Sequence, residues 1–345
     1  MKAVRMTGIG RALEMQEVPP VEPRPGEVRV AVRAAGICHS DAHYRAGVSP
    51  MGALPITLGH EIAGVIDKLG PGVTALAAGD RVCLHYFVSC GTCSECRAGN
   101  EQFCERYAML GHHRDGGFAE FVTVPARNAV RLPDGIPFDQ GAIMMCSSVT
   151  SLHALRKARL RLGETVAIFG SGGLGASAIQ LARALGAREV FAVDIRAKKL
   201  TAAHKLGAVP IDAGRVDPVA EIRARTGRRG VDVALELVGL PLTMRQSLQS
   251  LAPLGRAVLV GLSNRMLEID PYRELIGREA ELIGCNDHHL DEVAELLAMA
   301  RGGALDLSEA IQRRVPLDAG AINGVLDELE RFEAGTRAVV TPGLS

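Results

Sequence analysis

The 345-residue sequence predicts an α/β protein of two parts, one β-rich and barrel-like and the other a doubly wound parallel sheet. Three observations lead there. Up to about residue 85, short alternating runs such as Val28-Arg29-Val30-Ala31-Val32 are broken by Gly and Pro. From about residue 148, apolar runs of strand length alternate with amphipathic stretches of helical length. Between Cys90 and Cys104 apolar periodicity disappears and four cysteines take its place.

In chain order, Pro19-Pro20, Pro23-Arg24-Pro25-Gly26 and Gly70-Pro71-Gly72 are turn signals separating the first strands. Strand texture resumes at Phe118-Ala119-Glu120-Phe121-Val122-Thr123-Val124. Val166-Ala167-Ile168-Phe169 reads as a buried strand, followed by a helix over 174–185. The apolar face of that helix is Leu174, Ala178, Ile179, Leu181, Ala182 and Leu185, and Gly186 stops it. Further strands are expected at 190–193, 209–211, 231–237, 257–260 and 282–283, with helices such as 197–206 and 244–251 between them. The tail adds helices near 290–300 and 322–332 and a last strand at 337–340.

Composition removes several classes of function. Thirty-nine basic and thirty-nine acidic side chains cancel, so there is no electrostatic footprint for nucleic acid or an anionic membrane. Tryptophan is absent and aromatics are scarce, which removes stacking platforms for single-stranded nucleic acid. No run approaches the roughly 18 apolar residues of a membrane span. Met1-Lys2-Ala3-Val4 lacks the apolar core of a signal peptide, and the cytoplasm is the expected location. In that setting eight cysteines favour metal or catalysis over disulfides.

Three motifs carry chemistry. Gly170-Ser171-Gly172-Gly173-Leu174-Gly175 matches G-x-G-x-x-G between a strand and a helix, the context that a dinucleotide turn requires. Gly170 makes the turn, Gly172 admits a pyrophosphate close to the backbone, and Gly175 packs helix on strand. The helix N-terminus offers free N–H groups and partial positive charge to the phosphates. Asp194, at the end of the next strand, can accept both adenosine-ribose hydroxyls and repel a 2′-phosphate. That favours NAD over NADP, although Arg196 stands nearby.

Cys90-x2-Cys93-x2-Cys96-x7-Cys104 suits a closed tetrahedral zinc site with no position for substrate, an iron–sulfur cluster being the alternative. The densest stretch is Cys38-His39-Ser40-Asp41-Ala42-His43. Together with His60, Glu61 and Cys146 it offers two thiolates and an imidazole for a second zinc with an open fourth position. Spacing alone does not say whether these residues meet.

These features together resemble the zinc-dependent alcohol dehydrogenases of the medium-chain dehydrogenase/reductase superfamily, over essentially the whole chain. The motifs that carry the resemblance are Gly36-Ile37-Cys38-His39-Ser40-Asp41-x-His43, Gly59-His60-Glu61, Gly79-Asp80-Arg81-Val82, the four-cysteine lobe, Cys146 and the glycine turn. The resemblance implies a GroES-like β-barrel catalytic domain over 1–147 and 285–345, with the structural zinc lobe at about 88–106. It implies a Rossmann NAD-binding domain over 148–284.

It further implies that Cys38, His60 and Cys146 hold a catalytic zinc, with Glu61 able to approach it and Asp41 orienting the histidine. Cys90, Cys93, Cys96 and Cys104 would hold the structural one. Cofactor contacts would come from His39, Thr150, Gly170, Gly172, Gly173, Leu174, Gly175, Asp194, Lys199, Val238, Val260, Leu262 and Arg337. Cys83 and Cys285 match no ligand position and are expected to be buried thiols.

The implied reaction is reversible oxidation of a primary or secondary alcohol. Zinc lowers the hydroxyl pKa, NAD takes the hydride, and Ser40, the cofactor ribose and His43 relay the proton to solvent. The alternatives on this scaffold are polyol, threonine and hydroxyacyl-thioester dehydrogenases. Cys146 argues against the polyol branch, where a carboxylate is the common third ligand. Cys-His-Ser-Asp in place of Cys-Gly-Thr-Asp argues against the threonine branch. The intact ligand sets argue against a zinc-free quinone or enoyl reductase, and against a non-enzymatic zinc- or nucleotide-binding protein. Tyr86 and Phe87 fall near a family pocket position, His112-His113 and His288-His289 read as solvated loop pairs, and a homodimer or homotetramer is expected by analogy.

Overall fold

A computed structural model describes residues 1–331 and 337–343. The chain divides into two compact units, one formed by Met1–Cys146 with the segment from His289 onward, the other by Ser147–His288.

The first unit is built on the long strand Glu27–Ile37. Val28, Val30 and Val32 are buried on one face of it, while Arg29 and Ala31 are only partly buried and Arg33 is exposed, which is the period of two seen in the sequence. It pairs antiparallel with Glu61–Leu69 along its length, with Phe121–Pro125 at its start and with Arg337–Val340 at its end. Arg81–Leu84, Ala129–Arg131 and Ile311–Val315 complete a seven-stranded sheet, and Lys2–Met6, Glu14–Glu17 and Ile56–Thr57 form a smaller one. The register matters for the site. Gly36 faces Glu61 and Ile37 faces Ala338, so one end of the sheet brings Cys38, His60-Glu61 and Arg337 to the same level.

The second unit is a six-stranded parallel sheet ordered Val209–Asp212, Glu189–Asp194, Thr165–Phe169, Val231–Glu236, Leu251–Leu259, Glu281–Gly284. This is the doubly wound order, with its switch point between Thr165–Phe169 and Val231–Glu236. Val166 to Phe169 are fully buried, as a central strand covered on both faces requires. No helix among the described residues is long and apolar enough to cross a membrane.

Several elements differ from expectation. Helix His39–Ala46 occupies a stretch that reads as strand and loop, because its eight residues hold too few apolar positions to show a helical period. Its start is fixed by a polar contact instead: Asp41 Oδ2 accepts the Cys38 N–H at 2.8 Å. Helices Phe138–Ile143 and Val149–Lys157 are joined in sequence by the π-helical turn Met144–Ser148 that carries Cys146. Strand Leu251–Leu259 begins six residues earlier than its apolar run, since Pro253 and Gly255 hide it and the register with Val231–Glu236 shifts there. The expected 322–332 helix spans Ala319–Glu330, and Phe332 lies outside the described residues.

Candidate active site

Cys38, His60, Glu61 and Cys146 each offer a ligand atom, and these atoms lie within 4.8 Å of one another. Strand ends place three of them: Cys38 follows Glu27–Ile37, and His60-Glu61 opens the strand Glu61–Leu69. Asp41 is fully buried and ties the arrangement together. Its Oδ1 lies 3.3 Å from His60 Nδ1 and accepts the Gly59 N–H at 3.3 Å, while Oδ2 holds Cys38. With Nδ1 engaged, Nε2 of His60 is left for a metal, and the tautomer is set.

The electrostatics suit a thiolate. The Cys38 thiol lies well below its ordinary range, chiefly through hydrogen bonding with Cys146 and then through His60. Burial pushes the Glu61 carboxyl up to about 7 against the opposing pull of the Arg337 guanidinium, which pairs with Glu61 Oε1. Glu61 Oε2 is buried with no hydrogen-bond partner among the described residues. An orphaned acceptor beside two thiols and an oriented imidazole fits a divalent cation. The Cβ of any residue at Gly36 would stand 2.0 Å from that same oxygen, so this glycine clears the space for Glu61.

The lobe shows a second donor set. Sγ atoms of Cys90, Cys93, Cys96 and Cys104 are within 4.8 Å of one another, and among the described residues no cysteine is joined in a disulfide. The Cys90 and Cys96 sulfurs are 3.8 Å apart. Four thiolates at a zinc–sulfur length of about 2.3 Å would sit about 3.8 Å apart along each tetrahedron edge. Backbone N–H groups are aimed at the sulfurs: Thr92 and Cys93 donate to Cys90, Cys96 to Cys93, and Cys90 and Arg106 to Cys104. These donors from Thr92 and Cys93 hold Cys90 down to about 4, whereas burial among neighbouring thiols pushes Cys96 up to about 11. Such N–H···S bonds stabilise thiolate ligands before metal arrives.

In the parallel-sheet unit, Gly170 leaves strand Thr165–Phe169 at φ +99°, a backbone that only glycine adopts without strain. A Cβ on Gly175 would stand 2.1 Å from the Gly170 carbonyl oxygen, so helix Gly173–Ala184 packs directly on the turn. A Cβ on Gly172 would meet only the Lys199 ammonium, 3.9 Å away. Open space above a helix N-terminus, faced by a cation, is what a phosphate needs. Asp194 accepts the Ser171 N–H at 2.9 Å and the Arg196 N–H at 3.0 Å, one on each oxygen, leaving lone pairs on both. The Ser171 and Thr150 hydroxyl oxygens are buried without partners among the described residues. Val238 and Leu262 are exposed and Val260 is partly buried, around the ends of neighbouring strands.

The family model for the alcohol dehydrogenase GroES-like domain matches residues 24–134, and that for zinc-binding dehydrogenase matches residues 173–301. The NAD-dependent alcohol dehydrogenase of Sulfurisphaera tokodaii is 34% identical over 99% of this chain and 100% of that protein. The chain belongs to the zinc-dependent alcohol dehydrogenases of the medium-chain dehydrogenase/reductase superfamily. Solved structures agree with this membership. The alcohol dehydrogenase of Thermus sp. ATN1 superposes with a TM-score of 0.92 at 30% identity, covering 99% of this chain and 100% of that one. A zinc-binding dehydrogenase from Sinorhizobium meliloti 1021, bound to NADP, gives 0.91 at 31% identity with 99% coverage of both. The GroES-like plus Rossmann fold class expected from sequence is therefore the fold of this family member.

His39, Ser40 and His43 lie on the short helix that follows Cys38. Ser40 Oγ is 3.8 Å from Cys38 Sγ. His39 and His43, one turn apart on the same short helix, put their ring centroids 4.6 Å apart. Arg337, expected at the cofactor, is partly buried and pairs with Glu61. Cys83 is buried as expected, whereas Cys285 is only partly so. Sequence reading missed Tyr44, whose ring lies 6.5 Å from His60 and 4.7 Å from His112. Its signal was available, since it follows His43 on one helix. Tyr86 packs 5.2 Å from His60. The histidine pairs are not simply solvated: His112 is half-buried against Tyr44, His288 is fully buried, and His289 opens helix Leu290–Arg301.

Proposed function

We propose that this chain is an NAD-dependent dehydrogenase that interconverts a primary or secondary alcohol with its aldehyde or ketone. The observation that carries the reading is the cluster of Cys38, His60 and Cys146, with Asp41 holding His60 in the tautomer a metal requires. Cys38, His60 and Cys146 would hold a catalytic zinc, and Cys90, Cys93, Cys96 and Cys104 a structural one. Bound there, the catalytic zinc would supply a Lewis acid that lowers the pKa of an alcohol toward neutral pH. NAD supplies the hydride acceptor.

The protein's own groups do the rest. Asp41 fixes the imidazole and the Cys38 backbone at once, so the donor set is formed before a ligand arrives. Ser40 Oγ, beside Cys38 Sγ, would accept the proton released by the substrate hydroxyl while handing its own hydroxyl proton onward. His43, on the next turn of the same helix, exchanges it with solvent, a task suited to an imidazole. The rings of Tyr44 and Tyr86 wall the His60 side of the cluster, limit substrate size and keep water off the imidazole. Glu61, buried opposite Arg337, has a second oxygen without a partner and can balance charge at the cluster as the substrate proton leaves.

Gly170, Gly172, Gly173, Leu174 and Gly175 would bind the pyrophosphate with Lys199, and Asp194 the adenosine ribose, where its charge disfavours a 2′-phosphate. His39, Thr150, Val238, Val260, Leu262 and Arg337 complete the proposed cofactor set. Action in the cytoplasm, on small alcohols and as a homodimer or homotetramer, belongs to the same proposal. The test is an NAD reduction screen over primary, secondary, cyclic, aromatic and polyol substrates with zinc-replete protein. NADH formation with at least one simple alcohol class is expected. No NADH from any of them would overturn the proposal.

A further inference from the structure

Within the parallel-sheet unit there is a cleft of about 350 Å³ that the dehydrogenase reading does not use. It is lined by four arginines, Arg223, Arg245, Arg273 and Arg278, and by two acids, Asp270 and Glu274. Glu274 is committed to Arg245, whose Nε lies 3.1 Å away, and it also accepts from the Gln249 amide and the Asp270 N–H. Asp270 stands 3.8 Å from Arg273 and caps the backbone of Tyr272 and Arg273. That leaves Arg223 and Arg278 without a carboxylate partner among the described residues.

These two guanidiniums face the same backbone. Arg223 Nη2 donates to the Gln249 carbonyl at 2.7 Å and the Leu251 carbonyl at 3.4 Å, and Arg278 Nη1 donates to the Leu251 carbonyl at 3.0 Å. Sharing one acceptor holds two like charges together on half-buried side chains. Burial and the facing Arg278 charge accordingly lower the Arg223 guanidinium below its ordinary value. An arrangement that concentrates cation charge at a concave surface, with donors left over on each fork, is relieved by an oxyanion.

We propose that this cleft binds a small molecule through a phosphoryl group. The cleft carries a surplus of two positive charges, which a phosphoryl dianion balances and a single carboxylate does not. The volume leaves room for a phosphoryl group carried on a larger molecule. The cleft is distinct from the glycine turn. Leu251 begins its strand while Gly170 follows the end of a strand parallel to it, so the two sites lie at opposite ends of the sheet.

The test is calorimetric titration of full-length, zinc-replete, NADH-saturated protein with inorganic pyrophosphate, inorganic phosphate and citrate at matched ionic strength. One saturable site per chain is expected, with pyrophosphate tightest. Arg278→Gln should weaken pyrophosphate at least 10-fold, and the exposed Arg273→Gln, which leaves packing alone, about 3-fold. Glu274→Gln, by removing a competing negative charge, should tighten it, a change that misfolding would not produce. Absence of saturable binding, or equal affinity in Arg278→Gln and wild type, would overturn the site. Citrate binding more tightly than pyrophosphate would overturn the phosphoryl assignment.

Discussion

Two alanine substitutions in one turn should fail in opposite ways. At Gly172 the backbone has φ −77° and ψ −154°, a conformation open to alanine, and a new Cβ meets nothing closer than the Lys199 ammonium at 3.9 Å. Reducing unfolded-chain entropy stabilises by about 0.4–1 kcal/mol, while alanine is a poorer helix N-cap than glycine by a similar amount. Stability should therefore change by no more than about 0.5 kcal/mol. If Gly172 admits the cofactor pyrophosphate, however, the methyl occupies that approach, and the NADH Kd should rise at least 10-fold, about 1.4 kcal/mol.

At Gly175 the new Cβ would stand 2.1 Å from the Gly170 oxygen and must reach about 3.3 Å. The helix must back away by roughly 1.2 Å from rigid backbone, at an overpacking cost in the upper part of the usual range, about 2–3 kcal/mol, partly offset by about 1 kcal/mol of helix propensity. A net loss of about 1–2 kcal/mol should lower Tm by a few degrees, at about 2–4 °C per kcal/mol for a unit of this size. Calorimetry and NADH fluorescence titration on both variants measure the two effects separately. Unchanged NADH affinity in Gly172→Ala would refute the pyrophosphate cradle. Unchanged Tm in Gly175→Ala would refute the packing role.

Cys38→Ser should abolish turnover and remove one of two zinc ions per chain while NADH binding persists; normal turnover would sink the assignment of the catalytic metal. Asp194→Ala should shift preference toward NADP in paired kinetic assays, and a wild type already favouring NADP would contradict the ribose reading. His43→Ala should slow alcohol oxidation most at low pH and recover partly with added imidazole, so an unchanged pH profile would remove it from the proton path. In chelator-stripped protein at pH 6, Cys90, held at about 4, is a thiolate, whereas Cys96, pushed to about 11, is not. Brief alkylation followed by peptide mass spectrometry should therefore label Cys90 ahead of Cys96, and equal labelling would contradict that order.

What could be read from the sequence was what is local. Cys90 to Cys104 closes on itself within fifteen residues, and the glycine turn is a strand, a bend and a helix start in succession, so spacing alone carries their chemistry. Strand texture likewise located Arg337–Val340 from a four-residue stretch ending in a β-branched pair. The helix His39–Ala46 was hidden because a polar cap, and not an apolar stripe, begins it. The arginine cleft was hidden for another reason. Its cations come from a helix, a second helix and two irregular turns, each of which reads as an ordinary solvated face.

By itself, then, the sequence determined the kinds of chemistry available: two zinc-capable donor sets, a dinucleotide turn, and a chain too evenly charged for nucleic acid. Only the tertiary structure decided which groups share space. Cys38, His60, Cys146 and Arg337 are separated by up to 299 residues, and the register of Glu27–Ile37 against its neighbours sets most of them level. Buried Asp41 then orients His60, and Arg337 turns out to face Glu61. The reason is physical: side-chain type fixes what an atom can donate or accept, whereas long-range strand pairing and burial fix what it meets.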